Sequence, residues 1–213
     1  MAKQIEGVYE AVLACAKKEF LEKGYTDASL RTIAQEAGTS TSSIYTRFKD
    51  KEGLFEAIVG PAAAQMKEMF LEIQENFHGL DEEVQEEEMG QYTSRHQMEL
   101  LDFIYEHFEE FYLLINGAGG SRFASFLDEL VQIEVDYTYK YMEVIGCETV
   151  KSGLVTEEFL HIIVTAYFNG MFEVVRHQMP KADAVKYIRL LNRYHMQGFS
   201  TVFYPEESPE IGP

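Results

Sequence analysis

Apolar residues recur at intervals of three and four along almost the whole chain, and this spacing predicts α-helices because such positions share one face of a helix. Alternation with a period of two, which is typical of half-buried strands, is scarce. The chain has only five prolines in 213 residues, and 46% of its residues are hydrophobic. The pattern therefore predicts an all-α globular protein.

The first 50 residues predict one longer helix followed by two short ones. The first covers about 3–23, and Ser29 is placed to cap a helix of about two turns that ends at Gly38. Ser40 or Thr41 would cap the next short helix. Two short helices joined by a tight turn have the outline of a helix-turn-helix, whose second helix enters the major groove of DNA.

The rest of the chain predicts longer helices with clear breaks. A helix that begins at Lys51 should kink or break at Gly60-Pro61. The acidic run at 81–88 predicts a solvated loop or an exposed helix, because calcium-loop spacing is absent. Further helices are predicted over about 91–115, 122–145, 157–178 and 182–203, before a polar, disordered tail at 205–213.

The predicted domains are a helix-turn-helix DNA-binding domain at 1–50 and a helical ligand-binding and dimerisation domain at 51–204. The net charge of −18 argues against DNA binding until its distribution is considered. Residues 1–60 carry eight Lys or Arg and nine Asp or Glu, whereas the remaining 153 residues carry 10 and 27. A nearly neutral end and an acidic body predict a DNA-facing end held apart from the rest.

Cellular location is predicted from what the chain lacks. No signal-peptide pattern opens the sequence, and no apolar run approaches the length of a membrane span. The two cysteines, Cys15 and Cys147, are too few for a disulfide framework and are expected to be buried small hydrophobes. We expect a cytoplasmic protein without a membrane partner.

The outward face of the second short helix is polar, whereas its inward face would hold Ile44, Tyr45 and Phe48. Hydroxyls and a guanidinium can reach phosphates or base edges. The outward positions are Thr41, Ser42, Ser43, Thr46 and Arg47.

The run from Ser29 to Leu54, SLRTIAQEAGTSTSSIYTRFKDKEGL, resembles the TetR family of repressors, and the preceding FLEKGY fits as well. The resemblance covers about residues 8–59. It implies base contacts by the five outward residues, phosphate contacts by Tyr45 and Lys51, and a supporting helix opened by Ser29 and Arg31. Where Ser42 and Arg47 stand, the family more often has glycine and histidine or tyrosine, so the resemblance does not fix an operator sequence.

The family resemblance also implies a repressor that dimerises and that a small molecule releases from a palindromic operator. The last two helices would form a four-helix dimer bundle, and the middle helices would enclose a ligand. The dimer candidates are Phe168, Gly170, Met171, Val175, Leu191 and His195. The ligand candidates are Phe77, His96, Tyr105, Phe108, Tyr112, Phe123, Tyr137 and Tyr141. Aromatic rings beside Glu134 or Asp136 would suit an aromatic or cationic effector.

Two alternatives stay open at this point. The pairs Glu75/His78 and Glu158/His161 have the Glu-x-x-His spacing of di-iron carboxylate bundles, although the further glutamates of such a site are not identifiable. The helix-turn-helix could also dock a protein. No Gly-rich phosphate loop or nucleophile elbow is present, and the favoured reading is a non-enzymatic regulator with no cofactor and no metal.

Overall fold

The fold is known from a computed structural model that describes the backbone of residues 2–203 and the side chains of residues 7–202. Every regular element in these ranges is helical, which confirms the predicted all-α class. The α-helices are α1 (Ala2–Asp27), α2 (Leu30–Glu36), α3 (Thr41–Phe48), α4 (Lys51–His78), α5 (Glu82–Glu106), α6 (Phe108–Tyr112), α7 (Phe126–Val144), α8 (Glu148–Lys151), α9 (Glu157–Arg176) and α10 (Lys181–Phe203). The predicted tail at 205–213 lies outside the described residues.

The helices divide into two compact units. The first, here called the head unit, contains the described residues through Met66 together with Glu106–Phe126. The second, the cavity unit, contains Lys67–Tyr105 and the described residues from Leu127 onward. The units are therefore not consecutive segments, and the predicted domain boundary at residue 50 stays a prediction about sequence organisation.

The core of the head unit is built around large side chains that are excluded from solvent. Phe20 of α1 meets Phe55 of α4 edge to face, with ring centroids 4.9 Å apart. Phe111, from the segment that returns to this unit, is also fully buried. Burying rings of this size is the main source of stability for a unit with such short helices.

Several helix ends lie where the sequence predicts them. Ser29, Ser40 and Thr156 each cap a helix by accepting a hydrogen bond from a backbone N–H three residues later. Gly24 has φ 72° and interrupts the helical geometry of α1. Polar caps and glycine breaks act locally, which is why a local pattern finds them.

The expected break at Gly60-Pro61 is wrong, because α4 continues through Pro61. Proline removes one helical hydrogen bond, but the side chains on either side, Val59, Ala62 and Ala63, are buried. Their burial favours a continuous helix.

The helix predicted over 91–115 differs more from the structure. Helix α5 begins at Glu82, so most of the acidic run forms its exposed first turns, and it ends at Glu106. His107 has non-helical angles (φ −119°, ψ 40°), after which the chain forms α6 and a π-helical turn over Leu113–Gly117. The single apolar stripe in the sequence therefore serves two separate units.

The long helices of the cavity unit pack closely. At Gly170 an added Cβ would lie 3.3 Å from Leu191 Cδ2, so this glycine marks a close approach of α9 and α10 within one chain. Among the helices described, none combines the length and the apolar character needed to cross a membrane.

Candidate nucleic-acid interface and ligand cavity

The helix-turn-helix of the head unit is formed by α2, α3 and the turn between them. Gly38 takes the left-handed conformation in this turn (φ 64°), which glycine adopts without steric cost. Ile33, Ile44 and Phe48 are buried. Because these apolar residues fix the inward faces, the remaining positions of α3 face solvent.

The exposed face of α3 carries hydroxyl groups and one guanidinium. Ser42, Ser43, Thr46 and Arg47 are exposed and Thr41 is half-buried. Tyr45 is 53% exposed, so the inward position that the spacing gave it is wrong. The hydroxyl of Thr46 donates to the Ser42 carbonyl at 2.8 Å, and the Ser43 hydroxyl shares a hydrogen bond of 3.1 Å with that of Ser40.

Arg47 is held by an aromatic platform that the sequence analysis missed. Its Cζ lies 4.2 Å from the centroid of the Tyr9 ring. Tyr9 in turn stacks on Phe48, with centroids 5.5 Å apart and planes 13° apart. A guanidinium stacked through its face keeps its N–H donors in the plane of the group. The stack therefore orients Arg47 without consuming the donors that would read a base or a phosphate.

Lys51 has a different environment. Its Nζ donates to the carbonyls of Thr26 (2.9 Å) and Ala28 (3.2 Å), and it lies 4.9 Å from the centroid of the Tyr25 ring. Two of its three donors thus join the start of α4 to the turn that precedes α2. One donor remains for a phosphate.

The junction of α3 and α4 depends on a glycine. A Cβ at Gly53 would lie 2.0 Å from the Phe48 carbonyl oxygen, a distance that no side chain tolerates. The Gly53 N–H donates to Asp50 Oδ1 at 2.8 Å, which caps α4. Lys49 completes the junction with a positive φ of 71°.

A buried carboxylate fixes the start of α2. Glu19 is only 4% exposed and accepts hydrogen bonds from Lys23 Nζ (2.8 Å) and from the Ser29 backbone N–H (3.0 Å). Burial alone would raise the pKa of Glu19, but these hydrogen bonds outweigh it and lower the pKa below its usual value. The only sequence signal for this role is Lys23, four residues further along α1.

The returning segment Glu106–Phe126 is built into the head unit by several polar contacts. The Thr26 hydroxyl donates to the Gly119 carbonyl at 2.8 Å. The Arg122 backbone N–H donates to Glu52 at 2.9 Å, and its guanidinium pairs with Glu56. Phe123 packs against Phe55, with centroids 6.0 Å apart.

The cavity unit contains a cavity with about 920 Å³ of empty space, counted out to its opening. Its wall comes from α4, α5, α7, α9 and α10. Small-molecule sites are likewise concave and lined mostly by apolar and aromatic side chains with a few polar groups. The aromatic residues of the wall are Phe70, Phe77, His78, Tyr92, His96, Tyr137, Tyr141, Tyr167, Phe168, His195 and Phe199.

One carboxylate lies in this aromatic wall. Glu134 accepts a hydrogen bond from Gln74 Nε2 at 2.6 Å. Burial raises the pKa of Glu134 to about 7, and the single hydrogen bond from Gln74 only partly opposes that effect. Its charge therefore depends on pH near neutrality.

Two histidines of the wall, His195 and His78, are shifted toward the neutral form. Burial lowers the pKa of His195 to about 4, and its ring stacks on Tyr167 with centroids 4.0 Å apart. Burial also lowers the pKa of His78, although the contact of its Nε2 with the Tyr137 carbonyl at 3.1 Å opposes this. Neither lysine nor arginine belongs to the wall.

Comparisons with known proteins agree with the helix-turn-helix geometry. The profile of the family described as "Bacterial regulatory proteins, tetR family" matches residues 12–58. The repressor BepR of Brucella suis is 38% identical over 63 residues, which are 30% of each protein. The repressor AcnR of Corynebacterium diphtheriae is 36% identical over 63 residues, 30% of this chain and 33% of that protein. The chain thus matches about a third of these relatives' length.

Solved structures extend the likeness to the whole fold. A TetR-like regulator from Rhodococcus sp. RHA1 has a TM-score of 0.57 at 17% identity and covers 91% of this chain and 96% of its own. A TetR-family regulator from Streptomyces coelicolor has a TM-score of 0.51 at 18% identity, with coverages of 98% and 92%. The chain is therefore similar to TetR-family regulators in sequence over residues 12–58 and in fold over most of its length. The predicted N-terminal helix-turn-helix followed by a helical body is confirmed.

The ligand candidates fall into two groups. Phe77, His96, Tyr137 and Tyr141 line the cavity. The other four do not line it. Tyr105 donates from its hydroxyl to the Met179 carbonyl at 2.6 Å, and Phe108, Tyr112 and Phe123 belong to the head unit. Their separation follows from the end of α5 at Glu106, which the sequence pattern does not indicate.

The dimer candidates mostly face the interior of their own chain. Phe168 and Val175 are buried within it, and Met171 and His195 line the cavity. Gly170 and Leu191 meet each other. The outer surface of α9 and α10 instead exposes Phe159 (39%), Ile162 (65%), Leu190 (66%) and Tyr194 (78%), here called the outer apolar face. Helical spacing identifies both faces of such a helix as partly apolar but does not say which one meets a partner.

The di-iron alternative receives no support from the described residues. No group of three or more His, Cys, Asp or Glu side chains within them is arranged to hold a metal. Glu158 and His161 are exposed, and His78 contacts a backbone carbonyl. The relatives and structural neighbours named above are regulators by name, which favours regulation over catalysis.

Proposed function

We propose that the chain is a dimeric transcriptional repressor that binds a palindromic DNA operator and is released from it by a small molecule. The observation that carries the proposal is the exposed face of α3, where Arg47 is stacked on Tyr9 and Tyr45 extends into solvent. A helix with apolar residues inward and oriented donors outward is what major-groove binding requires.

The proposed roles follow from the geometry of each side chain. Arg47 reads a base edge, because its in-plane donors suit guanine O6 and N7. Tyr45 and the one remaining donor of Lys51 contact phosphates, and Ser29 and Arg31 support them at the start of α2. The hydroxyls assigned to the groove are those of Thr41, Ser42, Ser43 and Thr46.

The dimer interface is proposed at the outer apolar face rather than at the residues chosen from sequence. Ile162, Leu190 and Tyr194 are each more than 60% exposed, and burying them against a second copy would remove a large apolar area from water. Two copies are needed because recognition helices read half-sites about 34 Å apart, or a multiple of that distance.

The effector is proposed to be an aromatic or cationic molecule in the cavity. Aromatic faces attract cations, and Glu134 supplies a carboxylate beside them. The wall has no lysine or arginine that would favour an anion.

Ligand control requires coupling between the two units. The chain passes between them three times, within α4 after Met66, before Glu106 and after Phe126. An effector that favours one conformation of the cavity unit would change the spacing of the recognition helices through these connections. Typical coupling of about 1–3 kcal/mol is enough to change operator affinity severalfold to about 150-fold.

The decisive experiment measures binding to DNA from the chain's own upstream region and to sequences selected from a random pool. Wild type is compared with Arg47→Ala and Tyr45→Ala over a salt series with competitor DNA. We expect sequence-selective, salt-sensitive binding by wild type, weakened about 10-fold or more by either substitution.

Arg95→Ala is the matched control, because Arg95 is also an exposed arginine over a tyrosine ring, 5.5 Å from the Tyr92 centroid, but lies in the cavity unit. It should leave DNA binding unchanged. Absence of selective binding at every salt concentration would contradict the repressor and favour a protein-docking helix-turn-helix.

The interface is tested by sedimentation of Tyr194→Glu. A buried charge without a partner should convert dimers to monomers. Leu154→Glu is the control, because Leu154 is 71% exposed outside the outer apolar face. A dimer that persists in Tyr194→Glu would place the interface elsewhere.

A further inference from the structure

The cavity wall has hydrogen-bond acceptors without matching donors, and this imbalance indicates which class of ligand would bind. Gln97 Oε1 and Asn192 Oδ1 are buried acceptors without a hydrogen-bond partner. Gln97 is 9% exposed and Asn192 is 6% exposed, and both residues line the cavity. A buried acceptor that lacks a donor is energetically unfavourable. A ligand that brings donors to these oxygens removes that cost.

The opposite ends of the same two amides are already engaged. Gln97 Nε2 reaches the Tyr167 hydroxyl, and Asn192 Nδ2 donates to Ser94 Oγ at 2.9 Å. With the amides in this orientation, both carbonyl oxygens lack a protein partner among the described residues. The two unpaired atoms are therefore acceptors, and they add to the Glu134 carboxylate.

Two of the three acceptor groups, those of Glu134 and Gln97, interact with Tyr167, and the third, that of Asn192, belongs to the wall of the same cavity. Glu134 is close enough to Tyr167 to raise the pKa of its hydroxyl, together with the larger effect of burial. Gln97 contacts that hydroxyl directly, and His195, one turn beyond Asn192 on α10, stacks on the Tyr167 ring at 4.0 Å. Residues of α5, α7 and α10 therefore contribute acceptors to the wall of one cavity.

Several donors near these acceptors are already used. The Tyr92 hydroxyl donates to the Ile73 carbonyl at 3.0 Å. The Tyr137 carbonyl can only accept, so His78 donates to it through Nε2. With no lysine or arginine in the wall, the cavity favours a ligand that donates.

We propose that the effector is a protonated amine that carries N–H donors, bound in preference to a quaternary ammonium ion of the same shape. This inference rests on the proposed function, since it specifies the chemistry of the effector. A primary ammonium has three donors, one for Glu134 and one for each of the two amide oxygens. A trimethylammonium keeps the charge and the attraction to aromatic faces but leaves both amide oxygens unpaired.

The test is a calorimetric titration of the purified full chain, without DNA, with phenylbutylamine, its trimethylammonium derivative and neutral phenylbutanol. We expect the primary ammonium to bind about 10-fold tighter than the trimethylammonium ion, because its donors satisfy oxygens that otherwise stay unpaired. The neutral alcohol should bind more weakly than the primary ammonium by at least the same factor.

Variants separate the contributions of charge and donors. Gln97→Leu and Asn192→Leu should weaken the binding of the primary ammonium and leave that of the trimethylammonium ion nearly unchanged. The two cations should then bind these variants with nearly equal affinity. Glu134→Gln should weaken the binding of both cations about 10-fold or more. Asp136→Asn is the matched control, because Asp136 is an exposed carboxylate two residues away that accepts from Gln132. It should change neither affinity.

The outcomes distinguish this inference from the proposed function. Equal affinities for the two cations in wild type, tighter binding of the trimethylammonium ion, or no binding of any cation would overturn it. The wild-type comparison decides the matter even if a leucine variant fails to fold, which thermal unfolding would reveal. Operator release is measured separately. An amine that binds with the expected preference but leaves DNA binding unchanged would overturn the proposed ligand control and leave this inference standing.

Discussion

Glu19 of the head unit and Glu134 of the cavity unit are carboxylates whose pKa values are shifted in opposite directions. Glu19 receives hydrogen bonds from Lys23 and from the Ser29 backbone, and its pKa is lowered despite burial. Glu134 receives one hydrogen bond, from Gln74, and its burial raises the pKa to about 7. The same chemical group is held charged in one unit and close to its titration point in the other.

This difference separates a scaffold from a binding site. In the head unit, donors and acceptors are matched inside the protein, as with Glu19 and with the two carbonyls that Lys51 contacts. In the cavity unit, Gln97 and Asn192 leave acceptors unpaired. Groups that are paired within the protein fix one geometry. Unpaired acceptors instead favour ligand binding, because a ligand that donates to them lowers the free energy of the bound state.

The largest expected effect compares a glycine in each unit. Gly53→Ala would place Cβ 2.0 Å from a backbone oxygen, so we expect the free energy of unfolding to fall by about 3 kcal/mol or more, with loss of DNA binding. Gly170→Ala would meet only the end of the Leu191 side chain at 3.3 Å, and we expect a change below about 1 kcal/mol. Chemical denaturation of both variants provides the measurement.

Gly90→Ala serves as the reference for these two, because an added Cβ there has nothing within 4 Å. Its helix propensity should stabilise α5 by up to about 1 kcal/mol. Equal stability of Gly53→Ala and wild type would show that the α3–α4 junction can accommodate a Cβ. It would contradict the proposed difference between a rigid head unit and an adaptable cavity unit.

The next effect concerns the pH dependence of cation binding. With a pKa of about 7, Glu134 is mostly neutral at pH 6 and mostly ionised at pH 8. Phenylbutylamine titrates like lysine, near pH 10, and stays protonated throughout. We expect its affinity to rise about 10-fold from pH 6 to pH 8, measured by calorimetry. Glu134→Gln should abolish the rise, and an affinity in wild type that stays constant over this range would contradict the assignment.

Glu19 should affect the pH dependence of stability rather than that of ligand binding. Its pKa is lower in the folded state than the usual 4.5, so its ionised form stabilises the fold above about pH 4.5, and this contribution is lost as the pH falls through the folded value. Glu19→Gln should cost about 1 kcal/mol at neutral pH and remove part of the acid sensitivity. Denaturation midpoints at pH 7 and below pH 4 test this. Parallel pH curves for variant and wild type would show that Glu19 is not a specific anchor.

The helix-turn-helix of the head unit could largely be predicted from sequence because its signals are local. Ser29 and Ser40 cap helices three residues away, and Gly38 forms the turn between them. The outward set on α3 follows once Ile44 and Phe48 are placed inward. Tyr9 was missed because it reaches Arg47 from 38 positions earlier in the chain, and helical spacing assigns a tyrosine no partner.

The cavity could be predicted only in part, because five helices from Phe70 to Phe199 contribute to its wall. Aromatic density located Phe77 and Tyr137 correctly but could not separate them from Phe123, which packs in the head unit. The division depends on where α5 ends, and one continuous apolar stripe conceals that point. The outer apolar face was missed for a related reason, since α9 and α10 carry apolar residues on two sides.

The smallest expected effect tests whether the head unit orients its reading group in advance. Tyr9→Leu keeps an apolar side chain against Phe48 but removes the ring beneath Arg47. An exposed cation–π contact contributes about 0.5–1 kcal/mol, so we expect operator affinity to fall about two- to fivefold, less than in Arg47→Ala. In the double variant the two losses should be less than additive, because Tyr9 acts through Arg47. If the losses of affinity for the selected operator are additive, Tyr9 contacts DNA itself. Arg47 would then bind the operator without being oriented by Tyr9.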